Sequence, residues 1–258
     1  MIDHQQRAGR LWPVLVRVAQ ERNTLTYGAA ATAIGIHHRP IRYVLGEIQD
    51  YCLVEGMPPL TALVVSASTG QQGAGYLGVP GRQEDINAVW AFDWSSVANP
   101  FSEKALAEIE VEAGLLVERP DAAADVYNRV KARGDQQRVF RQALLIAYNA
   151  SCAICGLSFH EALEAAHIIP WSSASPELRV DPRNGVLLCA NHHRLFDAAW
   201  INLLANYEIE YSDPTREYDP YSAADIVQTL DVHGKRLKLP TDRKLWPSVE
   251  LLHQRLAG

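Results

Sequence analysis

Apolar residues recur at helical spacing in several separate stretches of this chain. Leu11, Val14, Leu15 and Val18 fall on one face of residues 7–22, which predicts a helix. Thr26 is suited to cap a short helix over residues 27–34, stopped by Gly35. Pro40 suits the first turn of a third helix, in which Ile41, Val44, Leu45, Ile48 and Cys52 share a face before Gly56 ends it. Residues 60–66 are β-branched and apolar, and read as a strand. Gly70, Gly73 and Gly75 then form a loop, with Tyr76 and Leu77 as a return strand.

Three helices followed by a hairpin is the order of a winged-helix domain. The third helix would be its recognition helix, and residues 70–75 its wing tip. His37, His38 and Arg39 precede that helix and Arg42 lies one turn in, all with donors suited to phosphates or base edges. A plain three-helix structural cap is the alternative. Further along, residues 89–94 read as a strand or a buried turn, and Ser102 caps a helix over 102–113. Residues 118–124 read as a linker. A helix over 135–148 puts Phe140, Leu144, Leu145 and Tyr148 on one face, with Arg138 and Arg141 on its flank. Period-two alternation over 200–211, through Ile201, Leu203, Tyr207, Ile209 and Tyr211, predicts a hairpin. Val249, Leu252 and Leu256 predict a closing helix after Pro247.

These elements make an α+β chain. Its 258 residues permit two modest domains. The pattern divides them into a winged-helix-like DNA-reading domain over 1–98, a helical linker over 99–124 and a second domain over 125–258. An apolar content of 48% with 21% charged residues fits a soluble globular protein. No apolar run is long enough to span a bilayer, and residues 1–7 lack a secretory layout, so the expected location is cytoplasmic and no membrane partner is expected. The net charge of -6 argues against a generally basic nucleic-acid binder. Charge is segregated, however. An acidic run through Glu103, Glu108, Glu110, Glu112, Glu118, Asp121 and Asp125 gives way to Arg129, Lys131, Arg133, Arg138 and Arg141. That basic stripe could carry a phosphate backbone, or it could be a solvated helix face.

The four cysteines change the picture most. Cys52 sits in an apolar helical pattern and reads as a small core residue. Cys152 and Cys155 form one chelating pair, and Cys189 with His192 forms another. Four such ligands suit tetrahedral zinc in a closed, structural site. His160 is a possible substitute ligand. His192 and His193 cannot point the same way, because neighbours on a helix are separated by about 100°. A zinc ribbon would explain the cysteines, but not the His and Asn between them. His167 alone could be a packed residue of an apolar strand.

The segments Gln136–Arg141, Ala166-His167-Ile-Ile-Pro170-Trp171, Asn184-Gly185-Val-Leu-Leu-Cys189 and His193-Arg-Leu-Phe196-Asp197, with the Cys pair, resemble HNH endonuclease domains of the bacterial restriction type. The resemblance covers roughly residues 125–215. It implies a zinc-stabilised ββα-metal nuclease domain: a strand ending near the first His, a loop, a second strand, and a helix bearing the last His. It implies His167 as general base, Asn184 as the residue holding the loop, and His193 as a ligand of catalytic Mg2+ or Mn2+. Asp197, one helical turn beyond His193, could be a second ligand or could pair with Arg194. The chain departs from the family at Ala166, where many members carry a metal ligand. Asp197, or water and substrate phosphate, would fill that gap, and Glu164 is a weaker option on the same strand face.

The resemblance implies a DNA endonuclease acting on double-stranded DNA. It suggests a modification-dependent restriction enzyme, with a homodimer to cut both strands. A DNA-binding regulator with an inactive, zinc-stabilised HNH-like domain and a non-specific nuclease toxin are the alternatives.

Overall fold

Helix α1 (His4–Gln20) buries Leu11, Leu15 and Val18 of the stripe that its sequence periodicity marks, together with Trp12, while Val14 is only half-buried. Together with α3 (Ile41–Val54), which buries Ile41, Val44, Leu45, Ile48 and Cys52, it forms the core of the chain's first part. Between them, β1 (Leu25–Thr26) leads into α2 (Tyr27–Ala33). Thr26 caps α2 by accepting from the Ala29 amide at 3.2 Å. Trp12 anchors this core, meeting Trp94 edge-on with ring centroids 5.9 Å apart. Cys52 is fully buried here, and burial pushes its thiol up to about 11.

The expected wing hairpin does not form. Residues 60–63 are a tight helical turn rather than a strand, and the short β2 (Val64–Val65) pairs in parallel with β1. Tyr76 and Leu77 return as a turn. Their loop is held by a side-chain amide in place of a ladder. Gln49 is buried, donates to the Gly75 carbonyl and accepts from the Leu77 amide, each at 3.1 Å. A buried glutamine that satisfies two backbone groups removes the need for a paired strand. The aromatic run 89–94 is the end of α4 (Gln83–Ala91) and a turn on which Trp94 is buried.

The computed structural model describes residues 4–218 and 220–257. It divides into two compact units, Met1–Glu108 and Ile109–Gly258, and the division falls inside α5 (Glu103–Glu118). Ser102 opens that helix by accepting from Ala105. Residues 118–124 are not an exposed tether. Pro120 and Ala123 are buried, and this turn joins α5 to α6 (Ala123–Val130). Leu116, Val126, Val130 and Val139 pack there with Val180 in a small core of the second unit.

The main core of the second unit is built on α7 (Gln136–Ala147), whose Phe140, Leu144 and Leu145 are buried. Against it lie β3 (Leu163–His167) and β4 (Gly185–Cys189), an antiparallel pair that runs from Leu163 opposite Cys189 to His167 opposite Gly185. β4 is buried at every residue and passes directly into α8 (Ala190–Asp197). The hairpin of β5 (Ile201–Leu203) and β6 (Ile209–Tyr211), then α9 (Ala223–Gln228) and α10 (Val249–Ala257), complete the unit. No helix among the described residues is long and apolar enough to cross a membrane.

Candidate metal centre and active site

The two chelating pairs meet. Among the described residues, Cys152, Cys155, Cys189 and His192 bring one donor atom each within 4.8 Å of one another. Cys152 and Cys155 sit on a tight turn closed by the Gly156 amide on the Cys152 carbonyl at 2.9 Å, and Gly156 takes the left-handed conformation that this turn demands. Cys189 ends β4 and opens α8, so the strand–helix junction itself presents the second pair. The Cys155 and Cys189 sulfurs are 3.9 Å apart, and the Cys152 sulfur lies 3.6 Å from His192 Nδ1. Zinc–sulfur bonds of about 2.3 Å in a tetrahedron set such edges at about 3.8 Å, so the donor set fits zinc. His192 is fully buried, and its Nε2 lies 3.2 Å from the Gln228 carbonyl. A carbonyl only accepts, so Nε2 carries the proton and Nδ1 is left for the ion.

The thiol chemistry points the same way. The hydrogen bond from Cys189 holds the Cys152 thiol down to about 3, while the same bond pushes Cys189 up and burial raises Cys155. Cys152 is thus the thiolate of the set, and a bound cation is what would let all three sulfurs ionise. His160 is not among the clustered donors.

His167 ends β3. Its ring stacks flat on Phe140, centroids 3.9 Å apart, and meets Trp171 edge-on. Gly185 stands opposite it, and a Cβ there would come within 2.5 Å of the Phe140 ring, so the glycine makes room for the ring that supports His167. His167 Nε2 lies 3.1 Å from the Arg179 carbonyl. In the neutral ring that nitrogen bears the proton and Nδ1 bears the lone pair. Burial lowers the pKa of His167 below the ordinary imidazole value, and the charge of His193 adds to that. The ring is therefore a neutral base at pH 7.

Asn184 is fully buried and bonds only backbone in its side-chain contacts. It accepts from the Ile169 amide at 2.8 Å and donates to the Leu178 carbonyl at 2.9 Å, while its own carbonyl takes the Ile168 amide at 2.8 Å. These bonds close the loop between β3 and β4 on the two residues that follow His167.

One turn into α8, His192 faces the cysteines and His193 faces away. His193 Nδ1 lies 2.6 Å from the Glu164 carboxylate, and Nε2 lies 3.3 Å from that of Asp197. The Glu164 bond raises the pKa of His193, and His193 in turn lowers that of Glu164. A hard divalent ion with bonds of about 2.1 Å sets neighbouring ligands about 3 Å apart, which suits His193 Nε2 and Asp197. Ala166 is fully buried in the core and offers no donor, so the missing family ligand is not replaced from that position.

Two residues with no motif complete the site. Arg255 of α10 donates to the Ile168 carbonyl at 2.9 Å and the Phe196 carbonyl at 2.7 Å, and its guanidinium lies 3.6 Å over the Phe196 ring. It ties the end of β3 to α8 from 87 residues away in sequence. Arg179, whose carbonyl holds His167, lays its guanidinium 5.0 Å over the Trp171 ring.

The basic stripe leading into the cysteines is largely engaged within the protein. Arg138 is mostly buried and pairs with the buried Asp135 at 3.0 Å, and Arg141 donates to the Leu163 carbonyl at 3.0 Å and the His160 carbonyl at 3.3 Å. Both hold backbone or a buried charge within the unit. Arg133 also leans on Asp135, at 3.5 Å, with its side chain partly exposed. Arg129 forms a bidentate pair with Glu112 of the acidic run. In the first unit, by contrast, His37, His38, Arg39 and Arg42 are all exposed around the start of α3. Arg42 lies over the Tyr43 ring, and the rings of His37 and His38 are 4.1 Å apart.

A family model described as HNH endonuclease matches residues 152–203. The matched stretch contains both chelating pairs, His167, Asn184, His193 and Asp197. No curated protein matches the chain.

Proposed function

We propose that this chain is a divalent-metal-dependent DNA endonuclease. The observation that carries the proposal is the state of His167: a neutral ring with Nε2 bonded to a carbonyl and Nδ1 as its lone-pair nitrogen, beside a His193–Asp197 pair spaced for an ion. In the hydrolysis, Nδ1 of His167 takes the proton of the water that attacks phosphorus. Phe140 and the Arg179 carbonyl fix the plane and tautomer of the ring, and Asn184 keeps the following loop closed. His193 and Asp197 would hold Mg2+ or Mn2+, which supplies charge neutralisation for the phosphate and the leaving oxygen. Cys152, Cys155, Cys189 and His192 would hold zinc and have no part in the chemistry.

The substrate in this proposal is double-stranded DNA, read by His37, His38, Arg39 and Arg42 of the first unit. The biological role we propose is restriction of foreign or modified DNA, with a homodimer cutting both strands. The test compares wild type with His167→Ala on plasmids from methylating and non-methylating hosts, over a Mg2+ and Mn2+ series. Cleavage by the wild type, with at least about a hundredfold loss in His167→Ala, is expected for a general base. DNA that is bound but left intact by both proteins would sink the nuclease reading in favour of a DNA-binding regulator. Equal cleavage of both plasmids would remove the modification dependence alone.

A further inference from the structure

His193 touches two carboxylates, one at each ring nitrogen, and the two contacts are not equivalent. Glu164 lies 2.6 Å from Nδ1, and Asp197 lies 3.3 Å from Nε2. An ion held jointly by a ring nitrogen and a carboxylate oxygen, with bonds of about 2.1 Å at right angles, needs those two atoms about 3 Å apart. The Asp197 contact has that spacing. The Glu164 contact is too short to admit an ion and has the length of a charge-assisted hydrogen bond.

We infer that Glu164 is a positioning residue: it accepts the Nδ1 proton of His193 and so presents Nε2, with Asp197, to the catalytic ion. This rests on the nuclease reading. Glu164 stands two residues before Ala166 on β3 but acts through His193 rather than as a ligand. Such an outer carboxylate fixes the tautomer, orients the ring and raises its basicity. The strand end that carries Glu164 is itself fastened to α7 by Arg141, which donates to the carbonyl of Leu163. Asp197 follows His193 by one turn of the same helix, α8.

The test uses zinc-loaded full-length protein and two readouts. The first is the tautomer of His193 in its neutral form, read by nitrogen-15 NMR without added Mn2+. The second is Mn2+ affinity by calorimetry. Wild type should show the Nδ1-protonated tautomer, and Glu164→Ala should shift it toward Nε2-protonated while weakening Mn2+ by about 10–100-fold, the usual cost of losing an outer partner. Glu164→Gln keeps an accepting oxygen and should stay close to wild type in both. Asp197→Asn should weaken Mn2+ without moving the tautomer. If Glu164→Gln loses as much Mn2+ affinity as Asp197→Asn, Glu164 is a ligand and the inference is wrong. If the wild type cuts DNA but Glu164→Ala changes neither readout, the inference fails alone. A wild type that neither binds Mn2+ nor cuts DNA overturns the nuclease reading and this inference together.

Discussion

His167 owes its chemical state to neighbours on three sides. Phe140 covers one face, the Arg179 carbonyl takes Nε2, and burial disfavours the charged ring. A base with a lowered pKa keeps its neutral form to lower pH than a free imidazole does. The acid limb of kcat/KM, measured at saturating Mg2+, should therefore lie below pH 6.5, and rate should fall only as pH drops through that lowered value. Opening the face with Phe140→Leu should move the limb back up toward the ordinary value. A wild-type limb at or above pH 6.5 would show that burial does not govern this ring. The candidate site residues were legible in the sequence because their identity and spacing are local: two chelating pairs, and a His and an Asn between them. Arg179 and Gln228 were not. Each contributes a backbone carbonyl, which every residue possesses, so nothing in the side-chain sequence could mark them. Arg255 was hidden for a different reason. Its partners are also carbonyls, brought to it by folding of segments far apart in the chain.

At the scale of elements, β4 and α7 decide how well β3 can present its last residue. Gly185 has an ordinary extended backbone, so its role is space rather than conformation. A methyl group there would sit 2.5 Å from the Phe140 ring and 2.7 Å from Leu144, both in the core. Gly185→Ala should therefore push Phe140 off His167. Overpacking of this kind costs about 1–3 kcal/mol, and kcat should fall further than the stability loss accounts for, because the base loses its platform. Thermal melting alongside single-turnover cleavage separates the two effects. Full kcat with an unchanged melting temperature would mean that the ring has room to move. Helical elements were read well from periodicity, since a stripe such as Leu11, Leu15 and Val18 has few alternatives. The wing hairpin was misread because residues 60–66 have strand composition, while the bonds that hold the neighbouring loop come from Gln49 on α3. Composition states what a segment tolerates, and here a buried polar side chain chose among the options. The linker was misread for a similar reason. Residues 118–124 look like a tether by their Pro and charges, yet Pro120 and Ala123 are buried.

For the whole molecule, a net charge of -6 must be reconciled with the polyanionic substrate we propose. In the basic run before the cysteines, Arg129, Arg138 and Arg141 have partners within the protein, in Glu112, Asp135 and backbone carbonyls. What stays exposed among the proposed DNA contacts is the group at the start of α3, along with Arg133. His37 and His38 add ring N–H donors, while Arg39 and Arg42 add fixed charge. If those two arginines each neutralise one phosphate, each should contribute about 0.9 to the slope of log K against log salt concentration. Arg39→Ala combined with Arg42→Ala should then flatten that slope by about 1.8 and weaken binding at every sequence alike. Both side chains are exposed, so melting should be nearly unchanged, and metal binding by the second unit should be untouched. Fluorescence anisotropy with a short duplex over a salt series gives both quantities. An unchanged slope would remove DNA contact from the start of α3 and leave the first unit as a structural cap. A loss confined to one sequence, with the slope intact, would instead make these residues readers of base edges rather than of the backbone.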